Sequence, residues 1–265
     1  MRHQEKIDQL KKNREKAQQG GGPERIRRQH EKGKLTAQER LDCLLDPGSF
    51  VPLHEFARGQ STDFAVEKKS AWGDGVVSGY GTIEGRLVFV FSQDFTVMGG
   101  SAGQTHIRKI CFLLEKARQL SAPVIGLNDS VGARIQEGID PFGYGFLFHE
   151  NSITSGVVPQ ISVIMGNCSG GAVYSPALTD FIFMVENTAQ MFITGPKVIK
   201  QIMGEEVTMQ ELGGSEVHSR VSGVVDFLAA DEQTCLREVR RLMGFLPSHY
   251  GEAPPRQENG DTPDR

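Results

Sequence analysis

Several features that would assign this chain of 265 residues to a protein class are scarce or missing. It has only four cysteines, and their wide spacing argues against a disulfide framework and against a zinc cluster. No apolar run approaches the roughly 20 residues of a membrane-spanning helix, and residues 1–22 lack the apolar stretch of a secretory signal. We therefore expect free thiols, no metal site, and a location in the cytoplasm, or in the mitochondrial matrix of a eukaryote.

An excess of charge of either sign is also missing, because 29 Lys or Arg face 33 Asp or Glu. The balance hides an uneven distribution, since residues 1–45 hold twelve basic and seven acidic side chains and the remainder is acidic. This basic segment contains no aromatic residue and has acids mixed among its bases, so it does not predict nucleic-acid binding. It suits a solvated helical surface, or a contact with a small phosphorylated ligand.

The order of the elements indicates three regions. Residues 1–50 form a basic helical arm of two stretches, separated by glycines and a proline at 20–23, whose helices we expect at the periphery. Residues 51–250 form the main domain. Residues 251–265 contain three prolines and are predicted to be a linker or a disordered tail.

The main domain has the pattern of an α/β protein. A β-hairpin is predicted at 75–91, and from its second strand onward a short apolar run, a glycine-rich loop and a helical segment occur in this order three times. The apolar runs are 87–91, 123–127 and 160–165. Strands that alternate with helices predict an α/β fold, and the ligands of such folds bind beyond the carboxyl ends of the strands, where these loops lie.

The loop after the third apolar run has the clearest chemical signal. Gly170 and Gly171 lie where a strand passes into a helix, so N–H groups at the helix start lack intrahelical acceptors and no Cβ atom blocks a ligand. Two such donors could stabilise the oxyanion that a thioester carbonyl becomes during acyl transfer or enolisation. The two glycines could equally serve close packing of strand and helix.

The same peptide also fits a second chemistry. Residues 166–170 match the G-x-nucleophile-x-G turn of hydrolases, with Cys168 as the nucleophile. The residues that could complete a triad are Asp180, Asp226, His218 and His249. This alternative predicts a reactive thiolate at Cys168, which an oxyanion-stabilising enzyme does not need.

Two further loops follow predicted strands. The segment 98–103 has three glycines before a helix, so it could add an N–H donor or hold a phosphate, and His106 lies just beyond it. In the loop 128–138, Arg134 and Glu137 are three residues apart, so they could pair across one helical turn instead of binding a ligand.

Six motifs follow one another along the chain. They are Lys34 to Leu41, Leu45 to Phe50, Gln93 to Val97, Asn128 to Gly138, Gly170 to Asp180 and Phe192 to Pro196. In this order they closely resemble the carboxyltransferase (β) subunits of biotin-dependent acyl-CoA carboxylases, and most of all the propionyl-CoA carboxylase and methylmalonyl-CoA decarboxylase branch. The resemblance extends from Lys6 to Leu246.

The resemblance implies a crotonase-like (ClpP/crotonase) ββα superhelix that binds acyl-CoA. It implies transfer of a carboxyl group between N-carboxybiotin and the α-carbon of a short acyl-CoA, such as propionyl-CoA or methylmalonyl-CoA. The amides of Gly170 and Gly171 would hold the enolate oxygen. Coenzyme A would be part of the substrate, and biotin would be attached to a separate carrier protein.

The resemblance and the loops together give a set of binding residues. For the acyl-CoA they are Gly99, Gly100, Ser101, His106, Gly132, Ala133, Arg134 and Ala172. For the CoA phosphates they are Arg27, Arg28, Lys32 and Lys34. The sequence departs from this pattern at Val131, where similar sequences usually have glycine and the shape of the loop depends on it, and at Pro141 and Phe142, where smaller residues are usual. A shifted acyl preference could follow.

The resemblance also implies partners. They are a biotin carboxyl carrier protein, a biotin carboxylase subunit, and a C-terminal carboxyltransferase domain that receives carboxybiotin, within a homo- or hetero-oligomer. We expect this chain to be the first half of such a subunit. The alternative from another class is a non-catalytic scaffold that binds CoA or a partner subunit without turnover.

Overall fold

The computed structural model describes residues 3–62, 64–66, 71–138 and 143–256. Within these ranges the helices are α1 (His3–Gln18), α2 (Pro23–His30), α3 (Ala37–Leu44), α4 (Gln104–Leu120), α5 (Tyr144–Thr154), α6 (Gly171–Tyr174), α7 (Pro196–Met203), α8 (Met209–Gly213), α9 (Ser215–Val217) and α10 (Glu232–Met243). The strands are β1 (Val51–Pro52), β2 (Val76–Ile83), β3 (Arg86–Gln93), β4 (Val124–Ser130), β5 (Gln160–Ser169), β6 (Phe181–Val185), β7 (Gln190–Phe192) and β8 (Phe227–Ala229). Residues 257–265 of the predicted tail, and Pro141 and Phe142, lie outside the described residues.

The strands form one mixed sheet in the order β1-β2-β3-β4-β5-β6-β8, and β7 pairs with the end of β5. The pairs β1–β2 and β2–β3 are antiparallel, and every pair from β3 onward is parallel. The predicted hairpin is β2–β3, whose turn holds Glu84 and Gly85 in the left-handed region at φ 52° and 76°. The α/β class expected from the alternating pattern is confirmed.

Helices cover both faces of the sheet. On β3, Val88 and Val90 point to a core shared with α3 and α10, whereas Phe89 and Phe91 point to a second core shared with α4 and α5. This division follows from the two-residue period of a strand, which sends successive side chains to opposite faces. A strand buried on both faces reads as a continuous apolar run, and this is how 87–91, 123–127 and 160–165 appear in the sequence.

The N-terminal helices differ in how they attach to the sheet. Helix α1 has no buried residue in its described part, whereas α3 places Leu41 and Leu44 in the core. The helical stretch predicted at 24–45 is interrupted, because Gly33 adopts φ 71° between α2 and α3. Thr36 then starts α3 with a capping box, in which its Oγ1 accepts the N–H of Glu39 at 3.2 Å. The division of the chain at residue 50 stays a prediction.

Strand β5 ends at Ser169, directly before the glycine loop singled out from the sequence. Its first half pairs with β4 and β6, while residues 167–169 pair with β7. An irregularity in β4 between Asn128 and Ser130 brings Ser130 opposite Cys168. Gly170 therefore leaves the sheet beside the ends of both β4 and β7.

None of the described helices is long and apolar enough to cross a membrane.

Candidate functional site

Gly170 connects β5 to α6 in a conformation that suits glycine, with φ 59° and ψ −131°. Its N–H donates to the carbonyl oxygen of Phe192 in β7 at 3.2 Å. This amide is therefore not free for a ligand, and the predicted role of Gly170 as an oxyanion donor is wrong.

The next two amides, of Gly171 and Ala172, have no hydrogen-bond acceptor in the part of the chain that the structure describes. They are the first two N–H groups of α6, and only the third, of Val173, finds an acceptor, the carbonyl oxygen of Gly170 at 3.1 Å. Gly171 is half-buried and Ala172 is buried, with 5% of its surface exposed, so the first of the two adjacent donors belongs to a partly exposed residue and the second lies just beneath the surface. The pair of free donors is therefore Gly171 and Ala172, and not the predicted pair of Gly170 and Gly171.

The orientation of these amides is held from both sides of α6. A Cβ atom on Gly171 would lie only 2.7 Å from Cδ2 of Tyr144, so the aromatic ring leaves room for glycine alone. On the other side, the thiol of Cys168 donates to the carbonyl oxygen of Ala172 at 3.2 Å. The two donors therefore belong to a packed element.

The structure does not support Cys168 as a nucleophile. Its side chain is fully buried, and this burial raises the pKa of the thiol above its ordinary value. Nε2–H of His218 donates to the carbonyl oxygen of Met191 at 2.7 Å. The other candidates for a triad, Asp180, Asp226 and His249, each accept a backbone N–H group. A buried neutral thiol cannot attack a substrate, so the cysteine hydrolase alternative is wrong.

The loop 98–103 packs against the loop that follows β4. A Cβ atom on Gly100 would lie 2.2 Å from the carbonyl oxygen of Asp129. Backbone N–H groups connect the two loops, from Val131 to Gly99 at 3.0 Å and from Ala102 to Gly132 at 2.9 Å. The structure thus brings together the predicted residues Gly99, Gly100, Ser101, Gly132 and Ala133.

Two carboxylate side chains accept N–H groups in the first turn of helix α4, which follows this loop. Oε2 of Glu137 accepts the N–H of Gln104 at 3.0 Å, and Oδ2 of Asp74 accepts the N–H of His106 at 3.0 Å. Side chains of the protein itself therefore compensate the positive end of the helix. These two amides of α4 are thus occupied, while a phosphate contact of the loop 98–103 itself stays a prediction.

Arg134 holds these two carboxylates in place. Its Nη1 donates to Asp74 at 2.6 Å and to Glu137 at 2.8 Å, and its Nη2 donates to the carbonyl oxygen of Ser101 at 2.7 Å. The side chain is only 1% exposed. Pairing with Glu137 is thus confirmed, and the substrate-binding role predicted for Arg134 is wrong, because its donors are occupied inside the protein.

His106 lies in the interior of the protein with no exposed surface. Its Nδ1–H donates to the carbonyl oxygen of Asp74 at 3.1 Å, so Nε2 is the acceptor for the side-chain amide of Gln93 at 3.3 Å. Burial, together with the charge of Arg134, lowers the pKa of His106 to about 3. The imidazole is neutral and inaccessible, and its predicted contact with substrate is wrong.

Basic residues of the N-terminal segment border a cleft of about 750 Å³, called here the basic cleft. Its walls include Arg25, Arg28, Lys32, Met98, Gly99, Val131 and Ala133. Arg28 and Lys32 thus lie in the wall of this cleft, where Arg28 also pairs with Glu24 at 2.5 Å. Arg27 pairs with Glu31 on an exposed helix face and is not part of that wall. Sequence reasoning missed Arg25, although the spacing of 25, 28 and 32 places all three on one side of a helical stretch.

Lys34 is not available to a phosphate. Its Nζ lies 2.7 Å from a carboxylate oxygen of Asp129 and its side chain is only 8% exposed. Burial lowers the pKa of Lys34, while the negative charge of Asp129 opposes that effect. The predicted phosphate contact of Lys34 is wrong, because the ammonium group belongs to an internal ion pair.

A second cleft, of about 610 Å³, continues from the first and is called here the inner cleft. Ala133 and Ile135 line both clefts, and Tyr144, whose ring covers Gly171, lines the inner one. The two clefts therefore form a path from the basic residues to Tyr144, which covers Gly171, while Gly171 and Ala172 themselves line neither cleft.

Among the residues described, no three His, Cys, Asp or Glu side chains are grouped so that they could hold a metal ion.

Comparison with known proteins gives a consistent set of matches. Residues 28–265 match the carboxyl transferase domain family. The chain is 55% identical over 263 residues to methylmalonyl-CoA decarboxylase subunit alpha of Veillonella parvula, covering 99% of this chain and 52% of that protein. It is 54% identical over 260 residues to the propionyl-CoA carboxylase beta chain of Roseobacter denitrificans, covering 98% and 51%.

Solved structures agree with these sequence matches. The transcarboxylase 12S crystal structure with methylmalonyl-coenzyme A and methylmalonic acid bound has a TM-score of 0.93 and 48% identity, covering 95% of this chain and 49% of that chain. The chain thus spans about half the length of the relatives it matches.

Proposed function

This chain belongs to the carboxyl transferase domain family, and from that membership we propose that it is the acyl-CoA-binding half of a biotin-dependent carboxyltransferase. Its crotonase-like α/β fold, expected from the sequence, is confirmed by the close match to transcarboxylase 12S. The reaction proposed moves a carboxyl group between N-carboxybiotin and the α-carbon of a short acyl-CoA. Propionyl-CoA and methylmalonyl-CoA are the pair that the named relatives favour.

One observation carries the proposal, namely the two adjacent free N–H groups of Gly171 and Ala172. When the α-carbon of a thioester loses a proton or a carboxyl group, negative charge develops on the thioester oxygen. Two donors aimed at that oxygen stabilise the enolate, and one donor of this kind is worth about 3 kcal/mol in other enzymes. No side-chain base is assigned, and the interior positions of Cys168 and His106 exclude both.

The two clefts are consistent with the binding of an extended ligand whose reactive end lies at these amides. Arg28 and Lys32, joined by Arg25, would hold the CoA phosphates through charge-assisted hydrogen bonds at the outer end of the basic cleft. The rest of the coenzyme would follow the glycine-lined wall of that cleft toward Ala133. Its thioester would then reach Gly171 through the inner cleft.

The partners proposed are a biotin carboxyl carrier protein, a biotin carboxylase subunit and a C-terminal carboxyltransferase domain, within an oligomer in the cytoplasm. N-carboxybiotin supplies the carboxyl group when it is bound. Gly170, which precedes the free amides, lies beside Ile193, since a Cβ atom on it would be 4.0 Å from the carbonyl oxygen of Ile193, and the side chain of Ile193 is 63% exposed on that side. The part played by this chain is to bind the acyl-CoA and to hold its thioester oxygen.

A test combines the chain with a C-terminal carboxyltransferase half and a biotinylated carrier protein from a relative. Transfer of labelled carboxyl from methylmalonyl-CoA to the carrier is measured, with a full-length relative as the positive control. We expect Ala172→Pro, which removes one donor at a helix start that tolerates proline, to slow transfer about 100-fold. The matched variant Ala172→Gly keeps the donor and is expected to stay within tenfold of the unmodified chain.

Absence of transfer by the unmodified chain, with the positive control active, would contradict the proposed function. Binding of acyl-CoA without transfer would then favour a non-catalytic scaffold. Equal rates for Ala172→Pro and Ala172→Gly would show that the amide of Ala172 is not a donor in the reaction.

A further inference from the structure

Val131 lies in the wall of the basic cleft, which Arg28 and Lys32 also line. Its backbone is fixed on both sides, because its N–H donates to the carbonyl oxygen of Gly99 at 3.0 Å and its carbonyl oxygen accepts the hydroxyl of Ser169 at 3.0 Å. Ser169 is the last residue of β5 and precedes Gly171 by two positions. Val131 is thereby tied to the strand end that carries the free amides.

The side chain of Val131 is an exposed apolar group in the wall of the basic cleft. It is 45% exposed, although it belongs to a loop whose neighbours Asp129 and Ser130 are fully buried. A Cβ atom on Gly99 would lie 3.2 Å from both methyl carbons of Val131. Both methyl groups therefore pack against Gly99, in space that a side chain at position 99 would otherwise fill.

The volume that Val131 occupies is well defined. A β-branched side chain has few χ1 rotamers, and the fixed backbone on both sides leaves the loop little freedom to withdraw. A ligand that entered the cleft would have to pass these methyl groups or press against them.

On the basis of the proposed function, we propose that Val131 is a specificity-determining residue that restricts the cleft to short acyl groups. A ligand held by phosphates at Arg28 and Lys32 and by its thioester oxygen at Gly171 has its acyl chain at the inner end of the path. Val131 lines the basic cleft, and the hydrogen bond from Ser169 to its carbonyl oxygen ties it to the residue two positions before Gly171, where the thioester is placed. An acyl group of three or four carbons fits beside the methyl groups, whereas a longer chain meets them.

The test measures binding of free CoA, propionyl-CoA and hexanoyl-CoA to the chain by calorimetry. We expect Val131→Ala to improve the affinity for hexanoyl-CoA relative to propionyl-CoA about tenfold, which is within the range for removing methyl groups from an apolar pocket. Val131→Leu should shift the same ratio in the opposite direction. The affinity for free CoA should stay unchanged in both variants, because it has no acyl chain.

Val198→Ala is the matched control, since Val198 on α7 is similarly exposed, at 39%, and lies outside the cleft. An equal change for all three ligands would place Val131 beside the coenzyme and would overturn the inference. An unchanged ratio in Val131→Ala and Val131→Leu would also overturn it. Failure of the unmodified chain to bind any of the three ligands would instead contradict the proposed function, and the inference with it.

Discussion

Charged residues near the candidate site are mostly bonded to one another inside the protein. Arg40 has no exposed side-chain surface, and its Nη2 lies 3.0 Å from Asp129 and 2.6 Å from Glu232. With Lys34 the cluster holds two positive and two negative charges, so each charge has an opposite partner. The cluster joins the N-terminal segment to the end of β4 and to α10. These residues maintain the loops of the site and cannot bind a ligand themselves.

The neutral state of His106 predicts a pH effect on stability. Its pKa in the folded protein is lowered to about 3, so its contribution is present above the ordinary value of 6.5 and is lost as the pH falls below it. At pH 5 the unfolded chain binds a proton that the folded protein excludes, at a cost of about 2 kcal/mol. The check is the free energy of unfolding in urea at pH 7, 6 and 5.

His106→Gln retains a donor and an acceptor but does not titrate, so we expect it to flatten this pH dependence. The matched control is His149→Gln, because His149 is exposed on α5. If the slope between pH 7 and pH 5 were the same in His106→Gln as in the unmodified chain, His106 would not be the residue responsible.

Contacts between elements depend on residues at their ends. Asp46, in the turn after α3, accepts N–H groups of Glu84 at 3.0 Å and Gly85 at 2.9 Å in the β2–β3 turn. The same carboxylate lies 2.9 Å from Nη2 of Arg240 in α10 and accepts the hydroxyl of Thr82 at 2.7 Å. One side chain thus fastens a helix end, a hairpin and the last helix together.

Asp46→Asn is expected to destabilise the protein by about 2 kcal/mol at pH 7, since hydrogen bonds to a charged group are lost. The N–H of Gly85 is the main cause that holds the pKa of Asp46 below its ordinary value. A lowered pKa gives stability that is present above about pH 4 and is lost as the pH falls further. The difference between variant and unmodified chain in urea unfolding should therefore narrow between pH 7 and pH 3.

Asp42→Asn provides the comparison, because Asp42 is exposed on α3 and accepts one bond, from Gln38 at 2.8 Å. It is expected to change stability by less than about 0.5 kcal/mol. A loss in Asp42→Asn as large as that in Asp46→Asn would mean that general surface charge, and not the bonds of Asp46, accounts for the effect.

On the scale of the whole molecule, the N-terminal segment and the domain share a core. Leu41 and Leu44 pack with α10 and the sheet, and Arg40 neutralises carboxylates of two distant elements. Helix α1, by contrast, buries no side chain among its described residues. The boundary that matters for folding therefore lies before α3.

Two deletions test this boundary. Removal of residues 1–19 takes away α1 and is expected to lower Tm by only a few degrees. Removal of residues 1–45 leaves Asp129 and Glu232 buried without Arg40, so we expect loss of cooperative unfolding. Thermal melting followed by far-UV circular dichroism measures both, and a cooperative transition near the Tm of the unmodified chain after the longer deletion would support a separable arm of 50 residues.

Much of the fold was open to prediction because it depends on local patterns. The apolar runs of β3, β4 and β5, the hairpin turn at Glu84 and Gly85, and the amphipathic helix α4 each follow from side-chain periodicity and turn chemistry. Strand β8 was not foreseen, because three residues at a sheet edge carry no periodic signal of their own. The interruption between α2 and α3 was missed because a single glycine does not specify where a helix ends.

The sequence by itself determined the three repeats of strand, glycine-rich loop and helix, the resemblance to a carboxyltransferase family, and the location after β5 of the glycine loop to which we assign the oxyanion site. Only the tertiary structure decided which groups of the site are free. The N–H of Gly170 is occupied because β7 lies beside the end of β5, and Lys34, His106 and Arg134 are occupied by partners distant along the chain. Hydrogen-bond partners depend on which segments pack together in space, and the spacing of residues along the sequence does not specify that packing.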